Sequence, residues 1–427
     1  MSAGQVNVSV IGAGKMGLPV ACVFASRGAR VIVCDVNSVI VDGINHGISP
    51  IDEPGVQDLV AAGVGSGALR ATTDTAAAAA ESDVVVILVP VLLTPSLDAD
   101  LAIIESVAET LATSIRRGTM VIVETTLPVG GTRRLGAIIE RGGLVAGQDF
   151  DLVFSPERVK SRFVLRNLQI NPKVVGGWTA EAGARAASFY SDFLGAPVDN
   201  VGSLETAEFT KLAGMVYRDV NIALANELAM YAESQPIDFE RARKAANTDG
   251  EAAILSPGIG VGGHCTPVYP HFLIHDAIER GAPARLALLA REINDFQPEH
   301  ALDRIEAAIG PLASRRVAIL GLGFRTGVKE HTNSPAFAIF DDLRKRGADP
   351  IVVDPLYSDG EIVARGLQSG PLVSAEIAIL VTGHEMFRDV LPELAASGCR
   401  LVFDGRGFWA RDLAEQAGLT YLAPGSG

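Results

Sequence analysis

The chain has 427 residues, of which 48% are apolar and 20% charged, so it can form two or three domains with buried cores. Its net charge of −14 and pI near 5.0 argue against a nucleic-acid partner or an anionic membrane, although backbone N–H groups can still bind phosphate. Four widely spaced cysteines argue against a disulfide framework or a zinc site. Residues 84–93 are too short to span a bilayer, and no signal peptide is evident, so we expect a cytoplasmic protein.

Strands and helices alternate through the first half of the chain. The strand "VNVSVI" is followed by "GAGKMG" and by a helical pattern that ends at Gly28. Further apolar runs follow, with helical stretches between them: "ARVIVCD", "SDVVVILVP", "TMVIVETT" and "FDLVFSP". Because each strand is almost continuously apolar, this alternation indicates a parallel sheet covered on both faces.

Residues 204–235 have no proline and one glycine, and they are apolar on more than one face. They predict a long helix, which either is buried between domains or subunits or belongs to the core of one domain. A second alternating unit begins at "RRVAILGLGF" and continues through "DPIVVDP", "EIAILVTG" and "RLVFDGRG". We therefore predict an α/β fold with two Rossmann-like, doubly wound parallel-sheet domains joined by a long central helix. The predicted domain boundaries are 1–202, 203–300 and 301–427.

Gly12, Gly14 and Gly17 match G-x-G-x-x-G between a strand and a helix. In this pattern the first glycine allows the turn, the second lets a pyrophosphate approach, and the third lets helix and strand pack closely. Asp35 ends the next strand, where a carboxylate can bind ribose hydroxyls and would repel a 2′-phosphate. The combination predicts an NAD site rather than an NADP site. Cys22 and Cys34 lie on the packed faces of this unit and are interpreted as small core hydrophobes.

A second glycine turn, "AILGLGF", does not have the dinucleotide spacing. Asp354 lies thirty-one residues after Gly323, and the next helix begins only near Ser334 and Pro335. We interpret this turn as a phosphate or sugar-nucleotide site, with an ordinary strand-to-helix turn as the alternative.

Cys265 lies in the segment "GIGVGGHCTPVYPHF". An isolated cysteine is usually buried and inert, but this one follows a glycine run in a proline-rich loop rather than lying on an apolar face. Unshielded backbone N–H groups and His264 could raise its thiolate fraction. A thiolate can add to an aldehyde, and the adduct can lose hydride to NAD, leaving a thioester that water hydrolyses. These features favour a nucleophilic cysteine.

The sequence resembles the nucleotide-sugar 6-dehydrogenases, the family of UDP-glucose, GDP-mannose and UDP-N-acetylhexosamine dehydrogenases. The resemblance covers almost the whole chain in the same order. It is carried by "VIGAGKMGLPVA", "VETTLPVGGTR", "FSPERV", "ETAEFTKLAGMVYRDVNIALANELA", "PGIGVGGHCTPVYP", "AREINDFQPEH" and "VAILGLGFRTGVKEHTNSPA".

The family oxidises C6 of the sugar twice, from alcohol to aldehyde to acid, with two NAD. By position, the resemblance implies that Cys265 is the nucleophile and that Lys211 stabilises the developing oxyanion. It implies that Glu157 and Thr126 position the hydrolytic water, with Glu157 as general base. Without the family, Lys211 would be interpreted as a solvated lysine and Glu157 as a cap.

The resemblance also implies two binding sites, a homodimer formed through residues 203–300, and no metal. The NAD site, in residues 1–202, would comprise Gly12, Gly14, Lys15, Met16, Gly17, Asp35, Pro90 and Thr126. The UDP-sugar site, for which residues 301–427 form the binding domain, would comprise Glu157, Arg158, Val159, Lys211, Arg218, Gly258, Gly262, Gly263, Phe324 and Arg325. Enzymes of this kind serve polysaccharide biosynthesis.

Four positions depart from the family pattern. Met215 replaces an asparagine that donates to the oxyanion, and Tyr269 replaces an aspartate that organises water. Thr332 replaces an arginine, and Arg325 replaces a lysine. Loss of one oxyanion donor costs about 2.7–4 kcal/mol where it has been measured, so the second oxidation is slow unless another group compensates.

The segments "YRDVNIALANELA" and "GGHC" favour a UDP-N-acetylhexosamine, with UDP-glucose as the alternative. Two other hypotheses remain: an enzyme with an altered product, and a sugar-nucleotide-binding protein without turnover. The retained Cys265, Lys211, Glu157 and Thr126 argue against the second of these. A hydroxyacid dehydrogenase is disfavoured because its chemistry needs no cysteine.

Overall fold

The computed structural model describes residues 6–372 and 375–426. They form two compact units. The first comprises the described residues up to Gly214 together with His271–Arg280, and the second comprises Met215–Pro270 together with the described residues from Gly281 onward. Within the described residues, no helix is long and apolar enough to cross a membrane.

Within the residues described, the first unit contains ten strands. In chain order they are β1 (Asn7–Ile11), β2 (Arg30–Cys34), β3 (Leu69–Thr72), β4 (Val84–Ile87), β5 (Leu92–Leu93), β6 (Ala99–Asp100), β7 (Met120–Val123), β8 (Asp151–Phe154), β9 (Lys173–Gly177) and β10 (Val198–Ser203). Its first eight helices are α1 (Gly17–Ser26), α2 (Ser38–Asn45), α3 (Val56–Gly65), α4 (Thr75–Glu81), α5 (Ala102–Ser114), α6 (Gly131–Ile139), α7 (Val164–Ile170) and α8 (Ala180–Phe193).

Eight of these strands form one sheet in the order β10-β9-β8-β7-β4-β1-β2-β3. All neighbours are parallel except β8 and β9, which are antiparallel, so the predicted parallel sheet holds from β8 through β7, β4, β1 and β2 to β3. The register pairs Phe154 with Gly176. Continuing this register brings the residues just after β8 opposite the amino end of β9, and both lie at the edge where the parallel strands end.

The long helix α9 (Leu204–Glu233) has 30 residues, which confirms the prediction from the sequence. It belongs to the first unit up to Gly214 and to the second unit from Met215. Three helices follow it, α10 (Phe239–Ala246), α11 (Tyr269–Glu279) and α12 (Arg285–Ile309). The three-domain division at residues 202/203 and 300/301 stays a prediction.

The second unit contains a parallel sheet of five strands in the order β12-β11-β13-β14-β15. Alternate side chains enter two apolar cores: Val317 and Ile319 face one, Ala318 and Leu320 the other. The strands are β11 (Arg316–Leu320), β12 (Asp349–Val353), β13 (Ile377–Leu380), β14 (Leu401–Asp404) and β15 (Thr420–Leu422). The remaining helices are α13 (Pro335–Lys345), α14 (Asp359–Val363), α15 (Leu391–Ala396) and α16 (Arg411–Gln416). The predicted fold class is therefore confirmed.

Candidate active site

The first glycine turn is shaped by close backbone packing. Gly12 has a φ of 109°, and a Cβ placed there would lie 2.4 Å from the carbonyl oxygen of Leu88. A Cβ on Gly17 would lie 1.9 Å from the carbonyl oxygen of Gly12. A Cβ on Gly14 would meet nothing within 4 Å. The fold itself therefore requires Gly12 and Gly17, whereas Gly14 leaves the backbone open toward a ligand.

Asp35 adjoins this turn at the end of β2. Its carboxylate accepts hydrogen bonds from the backbone N–H groups of Ala13 (3.0 Å) and Asn37 (2.9 Å). Pro90 and Thr126 follow β4 and β7, so they lie at the same carboxyl-terminal edge of the sheet. Lys15 is exposed and Met16 packs against the first core. Because the strand order reverses between β1 and β4, this edge is the crevice in which such sheets bind nucleotides, and these residues fit NAD.

Three of the four cysteines are buried. Burial raises the pKa of Cys22 and Cys34 to about 12, which confirms that they are core residues. Burial likewise raises the pKa of Cys399 to about 11. Cys265 differs because it is partly exposed.

Glu157 lies in a buried ionic cluster that follows β8. The Lys173 ammonium donates hydrogen bonds to Glu157 Oε2 (3.0 Å) and to Glu124 Oε2 (2.8 Å). The Tyr190 hydroxyl donates to Glu124 Oε1 (2.5 Å), and the backbone N–H of Arg158 donates to Glu157 Oε1 (2.6 Å). Side-chain exposure is 6% for Lys173, 0% for Glu124 and 11% for Glu157, so one buried cation is shared by two carboxylates.

Opposing effects set the charge of this cluster. Burial raises the pKa of Glu124 to about 7 against the attraction of Lys173. Burial alone would also raise the pKa of Glu157, but the Lys173 ammonium, its hydrogen bond, the Arg158 N–H and Lys211 outweigh it, so the pKa is lowered. The two carboxylates keep the pKa of Lys173 above its usual value despite burial. Glu157 is thus the carboxylate held ionised.

Lys211 comes from α9 and reaches the same segment. Lys211 is buried, and its Nζ donates a hydrogen bond to the carbonyl oxygen of Glu157 at 2.5 Å. One turn earlier, the Glu208 carboxylate accepts the N–H groups of Gly130 (2.6 Å) and Thr132 (2.7 Å) and so caps the start of α6. The helix therefore holds both the β8 segment and the segment after β7.

The predicted neighbours of Glu157 also lie here. The Arg158 guanidinium donates to the carbonyl oxygen of Pro172, and Val159 packs against the first core. A narrow cavity of about 10 Å³ is lined by Glu157, Arg158, Val159 and Lys173 among others. The structure thus brings together Glu157, Arg158, Val159 and Lys211.

The cysteine loop belongs to the second unit. A Cβ on Gly262 would lie 2.5 Å from Phe324 Cβ, and one on Gly263, where φ is 105°, would lie 3.1 Å from the Phe324 ring. The carbonyl oxygen of Cys265 accepts the N–H of Tyr269 (2.9 Å), the first residue of α11. The loop therefore packs bare backbone on Phe324 and leads the cysteine into a helix.

Polar contacts hold both ends of this loop. Gly258 N–H donates to Asn226 Oδ1 (2.9 Å) on α9. His264 Nε2 lies 2.6 Å from Glu330 Oε1 and 3.1 Å from the Thr332 hydroxyl. Thr332, which departs from the family pattern, therefore contacts the residue next to Cys265.

Other predicted positions on α9 are less enclosed. Arg218 is exposed and Met215 is partly buried. Buried next to Arg218, the Asp219 carboxylate accepts hydrogen bonds from Arg291 (2.7 Å) and Asn294 (2.8 Å). This inward face of α9 is joined to Gly258 because Asn294 also accepts from Asn226 (2.9 Å).

A cavity of about 350 Å³ opens at the carboxyl-terminal edge of the second sheet. It is lined by the predicted Phe324 and Arg325 and by six further residues, Thr326, Thr382, Gly383, Arg406, Gly407 and Phe408. Arg406 was not predicted from the sequence, although it lies two residues after the strand in "RLVFDGRG". Arg406 Nε donates to the carbonyl oxygen of Val381 (2.7 Å), and burial lowers its pKa to about 10.

Sequence reasoning also missed Glu124, Lys173 and Tyr190. The sequence did contain a signal for this cluster: a lysine begins the apolar strand "KVVGG", and a glutamate directly follows "MVIV". Charged residues at buried strand ends are almost never left unpaired, so these two indicate an ion pair. Lys173 meets these carboxylates because β9 runs antiparallel to β8. The sequence pattern did not predict that direction.

Comparison with known proteins decides the family. Three domain models of the UDP-glucose/GDP-mannose dehydrogenase family match in order: the NAD binding domain at residues 6–194, the central domain at 205–296 and the UDP binding domain at 318–411. The chain belongs to the UDP-glucose/GDP-mannose dehydrogenase family. It is therefore an NAD-dependent nucleotide-sugar dehydrogenase, which confirms the predicted family, enzyme class and cofactor.

Relatives of this dehydrogenase cover nearly its full length. It is 36% identical to NDP-N-acetyl-D-galactosaminuronic acid dehydrogenase from Ralstonia nicotianae, and the match covers 95% of this chain and 96% of that relative. It is 34% identical over 94% of its length, and 99% of theirs, to UDP-N-acetyl-D-mannosamine dehydrogenase from Salmonella typhi. Among solved structures, the UDP-D-ManNAc dehydrogenase from Pyrococcus horikoshii matches with a TM-score of 0.89 and 30% identity, covering 98% and 99% of the two chains.

Proposed function

We propose that this enzyme oxidises C6 of a UDP-N-acetylhexosamine to the uronic acid, a four-electron oxidation that proceeds through a thiohemiacetal and a thioester on Cys265. The observation that carries the proposal is the contrast among the thiols. Three are buried, whereas Cys265 is partly exposed in a glycine loop packed on Phe324, and that residue lines the cavity of the second sheet.

The NAD site is assigned to Gly12, Gly14, Lys15, Met16, Gly17, Asp35, Pro90 and Thr126. When bound, NAD accepts a hydride from C6 in each oxidation. The turn at Gly14 exposes backbone N–H groups to the pyrophosphate, and Asp35 accepts hydrogen bonds from the ribose hydroxyls.

In the first oxidation the C6 hydroxyl loses its proton to solvent water as hydride leaves C6, so the C6 carbon becomes the aldehyde. Lys211 is the cation assigned to that oxygen, because its buried ammonium lies at the Glu157 segment, where Nζ donates to the carbonyl oxygen of Glu157. The Cys265 thiolate then adds to the aldehyde carbon, and Lys211 stabilises the oxyanion of the adduct. Loss of the second hydride leaves the thioester.

Hydrolysis completes the cycle. A water oxygen attacks the thioester carbon while Glu157 accepts its proton and the Thr126 hydroxyl helps to position it. The C–S bond breaks and the Cys265 thiolate leaves. The acid that forms loses its own proton to solvent to give the carboxylate, and Glu157 releases the proton it accepted to solvent before the next turnover. Glu157 suits this role because it is held ionised by Lys173.

The UDP-sugar site is assigned to Glu157, Arg158, Val159, Lys211, Arg218, Gly258, Gly262, Gly263, Phe324 and Arg325. The names of the Ralstonia and Salmonella relatives favour an N-acetylhexosamine over glucose. The domains proposed for these roles are 1–202 for NAD, 203–300 for the lysine and cysteine loop, and 301–427 for the UDP-sugar.

A homodimer and a cytoplasmic role in polysaccharide biosynthesis complete the proposal. One face of α9 exposes Tyr217, Leu224, Leu228 and Tyr231, with exposures of 64%, 46%, 36% and 65%. Apolar side chains at this helical spacing favour pairing with a second copy. Sedimentation at micromolar concentration should give a dimer, and a monomer would contradict this part of the proposal.

Turnover with NAD and a panel of UDP- and GDP-sugars tests the chemistry. We expect two NADH per UDP-N-acetylhexosamine, and Cys265→Ser should form no acid. One NADH with a trapped aldehyde would indicate the altered product. No NADH with any sugar would indicate a binding protein, and preference for UDP-glucose would correct the substrate.

A further inference from the structure

The cluster behind Glu157 contains two carboxylates for one cation. Lys173 Nζ lies 2.8 Å from Glu124 and 3.0 Å from Glu157, and all three side chains are nearly or fully buried. A buried ion pair would be complete with one carboxylate, and an additional buried carboxylate is costly unless it is protonated or hydrogen-bonded. Glu124 meets this requirement because Tyr190 donates to its other oxygen.

The arrangement follows from the one antiparallel pairing of the first sheet. Phe154 pairs with Gly176, and continuing this antiparallel register by three residues brings Glu157 opposite Lys173. Glu124 directly follows β7, the parallel neighbour of β8 on the other side. A cation at the amino end of β9 thus lies between two carboxylates at the carboxyl ends of β7 and β8.

We propose that Lys173 is a positioning residue that fixes the Glu157 carboxylate, and that the charge on Glu124 sets how strongly Glu157 attracts a proton from the hydrolytic water. The proposal rests on the general-base role assigned to Glu157. When Glu124 is protonated, Lys173 is attracted to Glu157 alone, and Glu157 is a weak base. When Glu124 is ionised, it shares that cation, and Glu157 becomes a stronger base.

The groups that face Glu157 come from four elements. They are Lys173 on β9, Glu124 after β7, Tyr190 on α8 and Lys211 on α9. Because burial raises the pKa of Glu124 to about 7, its proton is lost near neutral pH. The two carboxylates titrate as a pair, so the rate of hydrolysis reports their joint state.

The test follows decay of the acyl-enzyme. The enzyme is mixed rapidly with NAD and the 6-aldehyde of the UDP-sugar, and the acylated protein is quantified by intact mass spectrometry between pH 5.5 and 9. We expect the wild-type decay rate to rise about fivefold through neutral pH. Glu124→Gln, which keeps the shape but not the charge, should lose this rise.

Two further variants separate electrostatics from packing. Tyr190→Phe removes a donor to Glu124, which raises the pKa of Glu124, so the rise should move to higher pH. Lys173→Met should slow decay at least tenfold, and Lys173→Arg should restore it to within about threefold of wild type. Arg185→Met removes a cation from the exposed ion pair between α8 and Asp151, and it should leave the profile unchanged.

The outcomes are distinct. If wild type accumulates acyl-enzyme but its pH profile coincides with those of folded Glu124→Gln and Tyr190→Phe, the proposed effect of the Glu124 charge is wrong. If folded Lys173→Met loses its acyl group as fast as wild type, the positioning role of Lys173 is wrong. The thioester route stands in both cases. If wild type turns over without an acyl-enzyme, the thioester route is refuted, and the role of Lys173 falls with it.

Discussion

The two sheets use similar glycine turns for different purposes. In the first sheet, α1 begins directly at Gly17, the last glycine of the turn. Asp35 is partly exposed and accepts a hydrogen bond from one backbone N–H of this turn, that of Ala13. In the second, the helix α13 begins only at Pro335, and buried Asp354 accepts the N–H groups of Leu322 (2.7 Å) and Gly323 (3.2 Å).

The difference shows how a carboxylate after the second strand should be interpreted. Asp354 is also bound by Leu356 N–H (2.8 Å), and His384 Nε2 lies 3.3 Å from it, so its oxygens serve the protein. Asp35 is open enough to serve a ligand. The match to a glycine fingerprint is therefore less informative than the exposure of the acid beside it.

The glycine turns of the two sheets should differ most in how much an added methyl group lowers the free energy of unfolding. Gly17→Ala should lower the free energy of unfolding by about 3 kcal/mol, because its Cβ would meet the Gly12 carbonyl oxygen at 1.9 Å. Gly323→Ala should cost about 1 kcal/mol, since its closest contact is 3.2 Å. Urea unfolding measures both.

Gly14→Ala is the matched control. Its Cβ meets nothing within 4 Å, so unfolding should change by less than about 0.5 kcal/mol. The KM for NAD should rise about tenfold, because the methyl group would occupy the pyrophosphate approach. An unchanged KM would place the pyrophosphate elsewhere.

The second effect compares the two acids. Asp354→Asn should lower the free energy of unfolding by about 2 kcal/mol, since an amide replaces a buried carboxylate that accepts several N–H bonds. Asp35→Asn should cost less than about 1 kcal/mol but weaken NAD binding and improve use of NADP. Equal stability losses in the two variants would remove the distinction drawn between them.

The third effect assigns a ligand to the second crevice. Arg406→Gln should weaken UDP-sugar binding about tenfold, which corresponds to about 1.4 kcal/mol, and should leave the Kd for NAD unchanged. Arg400→Gln, an exposed arginine of the same unit, serves as the control. Calorimetry with each ligand gives the comparison, and a matching loss of NAD affinity would contradict it.

The smallest effect is on acid stability. The pKa of Asp354 is lowered: burial alone raises it, but hydrogen bonds from His384 and from backbone N–H groups outweigh burial. The ionised Asp354 carboxylate therefore stabilises the fold fully above pH 3.8, the ordinary pKa of an aspartate. This stabilisation is lost as the pH falls through the lower pKa that Asp354 has in the folded protein. Below about pH 4 the unfolding curve of Asp354→Asn should have a shallower pH dependence than that of wild type; identical slopes would contradict this.

The fold could be predicted because local patterns determine it. Apolar strands alternate with helices in both units, Gly28 follows the end of α1, and Ser334 caps α13. The antiparallel β9 could not be predicted, because its apolar residues fit either direction. The ionic cluster was missed for the same reason, since Lys173 meets Glu157 only when β9 is reversed.

Much of the candidate site was also within reach of the sequence. The glycines and Asp35 have fixed spacing, and the glycine- and proline-rich loop already favoured Cys265 as a nucleophile. Lys211 and Glu157, in contrast, were identified only through resemblance to the family. Arg406 lines the cavity of the second sheet because its strand, β14, lies beside β13. No local motif predicts that these two strands are neighbours, so the sequence could not place Arg406 in the cavity.

Trapping the covalent intermediate shows whether Cys265 becomes acylated during turnover. Glu157→Gln, which keeps the shape of the general base, is mixed with NAD and UDP-N-acetylhexosamine, quenched in acid, digested and analysed by mass spectrometry. We expect the peptide containing Cys265 to carry the mass of the sugar-nucleotide acyl group and the corresponding peptide of Cys265→Ser to carry none. An acyl group on another residue, or full acid production without any acylated peptide, would contradict it.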